Sequence, residues 1–275
     1  RENAYDLLKG FINDAREFSK KKHQNKISRM IYKASSGWLG LNDISGRDIG
    51  TIYLDEKLKQ DMIDDIQSFQ NNKDKYVQYG LPYSRTYLFE GPQGSGKTSF
   101  IIALATQLNK NIAMINFNQQ LDEALLMRAF STCNNTNIIV LENIDLSFDN
   151  KTLIISELLN MIDGLGKREG MITFMTTNNF DKLTNIPSLS GRIDRIVHFV
   201  TPTETQLKVM FDKFFPNQGD NFAKFYQFVD RRNIPMTILQ KFLFNNMECE
   251  NILLKLNDLT NIISSYSKQS SSIYS

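Results

Sequence analysis

Residues 91–98 run Gly91-Pro92-Gln93-Gly94-Ser95-Gly96-Lys97-Thr98, with Ser99 following. That spacing fits the Walker A pattern, and each residue type has a reason to be there. Side chains in place of the glycines would stop the backbone from curling closely around an anion. Left bare, the curl turns several main-chain N–H dipoles inward. Lys97 adds a mobile full charge suited to β- and γ-phosphates, and the Thr98 hydroxyl offers a hard oxygen to Mg2+. The flanks suit such a loop. Apolar Tyr87–Glu90 reads as a strand, and a helix begins near Lys97 with Phe100, Ile101, Leu104 and Leu108 on its buried face. Residues 91–99 are therefore the candidate stretch for binding ATP or ADP with magnesium.

A second chemical feature follows the run Ile138-Ile139-Val140-Leu141, which passes into Glu142-Asn143-Ile144-Asp145. An apolar strand ending in an acid is the Walker B arrangement, with a carboxylate at the sheet's carboxyl edge beside the metal. Glu142 joins Thr98 as a candidate metal residue, acting through a water because magnesium holds its hydration tightly. Asn143 is the anomaly. Hydrolysis calls for an acid at this place, and an amide can orient water but cannot take its proton. Losing a general base costs on the order of 10²- to 10⁴-fold in rate. Three readings stay open: an engineered trap, a naturally weak ATPase, or a neighbour such as Asp145 taking over. Slow turnover is the favoured expectation.

Five apolar runs separated by helix-like stretches would position these residues: Tyr87–Glu90, Ile112–Phe117, Ile138–Leu141, Ile172–Thr176 and Ile196–Val200. The alternation predicts an α/β P-loop NTPase fold, a parallel five-stranded sheet with helices on both faces. Thr203 and Gln206 then form a capping box opening a helix with Leu207, Met210, Phe211 and Phe214. Helical segments near Met236–Phe244 and Ile252–Ile263 complete a small C-terminal lid, with fraying expected beyond Ser264. Ahead of the core, an N-terminal α+β segment is expected. It holds a basic, helix-like cluster (Lys20, Lys21, Lys22, Lys26, Arg29, Lys33), a short strand at Thr51–Leu54, and a helix capped by Asp55 with Leu58, Met62, Ile66 and Phe69 on one face. The expected divisions are 1–85 for this segment, 86–201 for the nucleotide-binding core and 202–275 for the lid.

These motifs resemble the AAA ATPase family. More narrowly they resemble its mitochondrial branch, which assembles respiratory complex III by moving the folded Rieske iron–sulfur protein across the inner membrane. The run from Tyr79 to Leu88 is similar to that branch's Gly-Ile-Pro-Tyr-Arg-Arg-Gly-Tyr-Leu-Leu. Residues 142–148 are similar to its Glu-Asp-Ile-Asp-Ala-Ala-Phe, in which Asp stands where this chain has Asn143, and residues 174–178 match its Phe-Met-Thr-Thr-Asn. Trp38–Phe69 also resembles the region this branch places between its membrane helix and its ATPase core. The resemblance implies that Asn178 contacts the γ-phosphate or the attacking water. It implies that Arg192, in Gly191-Arg192-Ile193-Asp194, is an arginine finger for the neighbouring subunit, although Leu189 stands where a first arginine would be. It further implies self-association into a ring and a protein cargo, including a folded one. Residues 118–123 lack the aromatic-hydrophobic-Gly pore loop of threading unfoldases. Met210 reads as core packing within the lid, with an adenine contact as the alternative.

Composition narrows the remaining classes. Apolar residues make up 41% of 275, enough for a sizeable core. A net charge of +2 gives no bulk case for nucleic acid, so a nucleic-acid remodeller would have to rely on the Lys20–Lys33 cluster. A nucleotide-gated scaffold with negligible hydrolysis is the other alternative, motivated by Asn143 and Leu189. Cys133 and Cys249 lack metal-ligand spacing and read as free thiols, which fits a reducing intracellular compartment. No run reaches the roughly 18–20 apolar residues that span a bilayer. The sequence opens at Arg1 and not at Met, so it reads as a portion of a longer chain whose preceding part could carry a targeting or membrane segment. The resemblance then implies the matrix side of the mitochondrial inner membrane. The abundance of Asn, Lys and Ile also suits a parasite or a large virus.

Overall fold

The computed structural model describes residues 8–10, 26–33, 35–40, 44–117, 123–133, 137–147, 169–184, 191–232 and 234–273. Residues 8–10 are helical; four short strands, β1 (Lys26–Ile27), β2 (Arg29–Lys33), β3 (Gly37–Gly40) and β4 (Ile44–Ser45), precede helices α1 (Glu56–Asn71) and α2 (Lys73–Gln78). The core follows as β5 (Ser84–Glu90), α3 (Lys97–Gln107), β6 (Asn111–Asn116), α4 (Glu123–Thr132), β7 (Asn137–Glu142), β8 (Met171–Thr177), α5 (Asp181–Thr184) and β9 (Arg195–His198). The five expected runs are β5 to β9, all parallel. The sheet is wider than expected, with seven strands in the order β3-β2-β6-β7-β8-β5-β9, because β2 pairs parallel with β6 and β3 hangs antiparallel on β2.

Period-two alternation sorts the sheet into two buried faces. Tyr87, Phe89, Ile112, Met114, Val140 and Phe174 pack with Phe100, Ile101 and Leu104 of α3 and with Met62, Ile66 and Phe69 of α1. Leu88, Ala113, Ile115, Leu141 and Met175 face the other way, against Leu126 and Phe130 of α4. The chain leaves β5 for β6 on one side and leaves β8 for β9 on the other. The neighbouring carboxyl ends of β5 and β8 therefore border a topological switch crevice, the usual ligand position in such sheets.

In the N-terminal segment, Asp55 caps α1 as expected, its side chain accepting from Leu58 N at 2.9 Å. Two expectations fail there. Thr51–Leu54 is not a strand: Ile49–Thr51 is a 3-10 turn, held by Asp48 accepting from Gly50 N at 2.8 Å. Local Asx-turn chemistry wins over a four-residue apolar run. Of the basic cluster, Lys26, Arg29 and Lys33 lie on strands, not on a helix, while Lys20, Lys21 and Lys22 are outside the described residues. The line drawn at residue 85 also falls inside one packed cluster, since α1 shares its buried face with β5 and α3.

The lid comprises α6 (Glu204–Phe214), α7 (Phe222–Asp230), α8 (Met236–Asn245) and α9 (Leu256–Ile273). The Thr203/Gln206 capping box is formed in both directions. Met210 is fully buried among Phe211, Phe225, Leu239 and Phe242, which makes it a core residue of the lid and not a ligand contact. The serine-rich segment expected to fray continues as helix to Ile273. Among the described residues no helix is long and apolar enough to cross a membrane.

Because Ile66 is 0% exposed between α1 and the sheet, Ile66→Ala should destabilise the fold by about 2–5 kcal/mol. Thermal unfolding should show one transition shifted down. A separate early transition, with the nucleotide-binding core melting as before, would contradict this packing.

Candidate nucleotide-binding site

Gly91 follows β5 directly, and its closeness to the next strand explains the residue type. It adopts φ +143°, and a Cβ there would lie 2.1 Å from the Phe199 carbonyl oxygen. Gly94, at φ +80°, passes under the lid: its carbonyl accepts from Thr237 N at 3.3 Å, and a Cβ would lie 2.8 Å from Thr237 Oγ1. The loop then turns at Gly96 into α3, whose first turn has no side-chain cap. Its N–H groups are free of the usual side-chain acceptor and point toward the loop.

Lys97 is only 7% exposed. Its Nζ donates to the carbonyls of Gly91 at 2.5 Å and Pro92 at 3.0 Å and to Asn178 Oδ1 at 3.0 Å. Burial pushes this ammonium down to about 8, opposed by the charges of Asp145, Glu90 and Glu142. Asn178 stands just past β8, and its Nδ2 donates to Asn143 Oδ1 at 3.1 Å. Asn143, just past β7, has φ +55° and donates its backbone N–H to Thr176 Oγ1 at 3.0 Å. Asparagine tolerates that left-handed conformation better than most residues. On the metal side, Thr98 Oγ1 donates to Glu142 Oε1 at 2.7 Å.

These groups meet in one cavity of about 300 Å³, lined by Gln93, Gly94, Gly96, Lys97, Thr98, Ser99, Glu142, Asn143, Thr176, Asn178 and Thr237. The sequence reading missed Thr176 and Thr237. The Thr-Thr-Asn run could have flagged the first; no local signal marks the second. Gly91 and Pro92 serve the site through their carbonyls to Lys97. Ser95 faces a smaller adjoining cavity with Arg47, Tyr53, Met236 and Gln240, and its buried Oγ has no hydrogen-bond partner among the described residues. Arg47 was also missed, although its guanidinium reaches Ser99 Oγ at 2.9 Å. Asp145 is 6% exposed, accepts from Asn178 N at 3.2 Å and does not line the cavity.

Arg192 does not join this group. The turn that carries it is tied to the other end of β5, with Asp194 N donating to Thr86 O at 2.9 Å. At a strand rise of ~3.3 Å per residue, that is roughly 17 Å from Gly91. Leu189 and residues 118–122, read above as a lost finger and a missing pore loop, lie outside the described residues.

The donors present fit a magnesium–polyphosphate. Uncapped amides and a lysine suit the anion, while one hydroxyl and one carboxylate suit a cation held largely through phosphate and water. Among the described residues no three His, Cys, Asp or Glu side chains cluster into a metal cage of their own.

Residues 87–201 match the family "ATPase family associated with various cellular activities (AAA)". A probable mitochondrial chaperone BCS1-B of Dictyostelium discoideum is 28% identical, over 91% of this chain and 64% of its own length. The mitochondrial chaperone BCS1 of Bos taurus is 30% identical over 80% of this chain and 56% of its own, and that of Homo sapiens 30% over 78% and 54%. The chain thus spans between 54% and 64% of the length of these relatives. With its phosphate loop, parallel sheet and helical lid, the chain belongs to the AAA ATPases, close to the BCS1 chaperones.

Proposed function

We propose that this protein binds ATP with magnesium, hydrolyses it slowly, and works in a ring as a chaperone that moves or assembles a protein cargo. The convergence of Lys97, Thr98, Glu142, Asn143 and Asn178 on one cavity carries the reading. The names of the relatives, mitochondrial chaperones, support the cargo and the compartment. The matrix side of the inner membrane is the proposed location.

Each residue has a task. The loop amides and the α3 terminus hold the phosphates, and Lys97 exchanges its carbonyl partners Gly91 and Pro92 for phosphate oxygens. Thr98 and Glu142 would hold Mg2+, which supplies charge neutralisation at the reacting phosphate. Asn178 spans Lys97 and Asn143 and so sets the orientation of both amides relative to the terminal phosphate. Asn143 offers its remaining amide group to the attacking water and cannot remove its proton. Asp145 is poorly placed to take over, being buried outside the cavity. It acts through charge, helping Lys97 stay protonated.

The distance between Arg192 and its own loop supports the intersubunit reading, because an arginine at the amino end of the strands is too far away to reach its own chain's phosphates. Asn143 also favours one second reading, a nucleotide-gated scaffold with negligible turnover. Phosphate release from the assembled protein separates the two.

Asn143→Asp keeps the acceptor for Asn178 Nδ2 and the tolerated backbone conformation while adding a base. It should raise kcat by about tenfold or more with little change in ATP affinity; an unchanged kcat would oppose the assigned role. Gly94→Ala, whose methyl meets Thr237 and Pro235, should weaken ATP binding by about tenfold or more in titration calorimetry, through a loop forced out of shape. Parent-like affinity would count against the loop as the binding element.

A further inference from the structure

Arg85 belongs to the run ahead of the phosphate loop, and nothing in the nucleotide cavity accounts for it. Its guanidinium makes a fork on Asp65 of α1, with Nε to Oδ2 at 3.2 Å and Nη2 to Oδ1 at 2.6 Å. The remaining nitrogen, Nη1, reaches Asp194 Oδ1 at 3.3 Å. The other Asp194 oxygen accepts from Thr86 N at 2.7 Å, and Asp194 N donates back to Thr86 O at 2.9 Å. Tyr87, fully buried, donates its hydroxyl to Asp65 Oδ2 at 2.6 Å and fixes that carboxylate from below. Beside this cluster, Arg195 Nη1 donates to the Asp61 carbonyl at 3.3 Å, a second tie from α1 to the start of β9.

We propose that Arg85 and Asp194 are positioning residues that hold the Arg192 turn at the angle needed to reach the nucleotide of the next copy of this chain. The inference rests on the reading that Arg192 acts between subunits. Asp194 is two residues from Arg192, and both oxygens of its carboxylate are engaged by groups of β5, so the turn cannot pivot without breaking them. A bidentate arginine–carboxylate pair fixes orientation as well as distance, which a single point charge does not. The Arg85 and Asp65 side chains are each 22% exposed, so the pair is shielded from much of the screening that weakens surface ion pairs. Asp65 lies on the N-terminal segment, so a shift of α1 would be felt at the neighbour's phosphates.

A mixing experiment separates positioning from simple support of the fold. A finger-donating subunit carrying Lys97→Ala is mixed with a nucleotide-holding subunit carrying Arg192→Ala, and phosphate release is measured against each alone. Arg85→Met is then added to the donor in one arm and to the holder in the other. A displacement of about 1 Å costs up to about a hundredfold, so the donor arm should lose about tenfold or more while the holder arm stays within about twofold. Equal losses in both arms, or no loss in the donor arm, overturn the positioning role. If the parent mixture shows no gain over its separate components, the intersubunit reading of Arg192 fails and this inference fails with it. Should Arg85→Met lower the donor's melting temperature, Asp194→Asn is read in the same two arms by the same criteria.

Discussion

The ammonium of a lysine that is only 7% exposed must be held by acceptors, and in this protein those acceptors are parts of the site itself. Lys97 sits on the carbonyls of Gly91 and Pro92 and on the amide oxygen of Asn178, so one side chain ties the start of the phosphate loop to the end of β8. The loop can approach so closely because Gly91 and Gly94 have no Cβ to strike Phe199 and Thr237. The remaining chemistry is arranged around that contact. Asn178 passes the linkage to Asn143, and Thr98 reaches across to Glu142.

Topology makes the arrangement possible. In the sheet β5 lies beside β8 and β7, two strands that come well after it in sequence, and all three end at the same edge. Each contributes what a polyphosphate with its metal requires: amides, a polar amide side chain and a carboxylate. The lid closes the site from above through Thr237, and its hold on Gly94 makes it sensitive to the loop's shape. The turn that carries Arg192 lies toward the opposite edge, tied to β5 by Asp194 N donating to Thr86 O.

Much of this was legible in sequence because the signals are local. The glycine and lysine spacing, the five apolar runs, the Asp55 cap and the Thr203/Gln206 box all act within a few residues. Elsewhere long-range pairing or local turn chemistry decided the outcome. Nothing in Arg29–Lys33 announces that it will pair with β6, and a basic stretch reads as a solvated face until a sheet edge claims it. Asp48 and Gly50 turned an apolar stretch that looked like a strand into a 3-10 turn. Arg47 reaches Ser99 and Gln240, 52 and 193 residues away, a contact no window can find.

The account depends on Lys97 joining the main-chain curl in gripping phosphate, and calorimetric titration of the Lys97→Ala protein with ATP and Mg2+ tests this directly. With the fold verified by circular dichroism, loss of a charge-assisted contact of about 1.5–3 kcal/mol should weaken binding by about tenfold or more. A dissociation constant equal to that of the unaltered protein would contradict it.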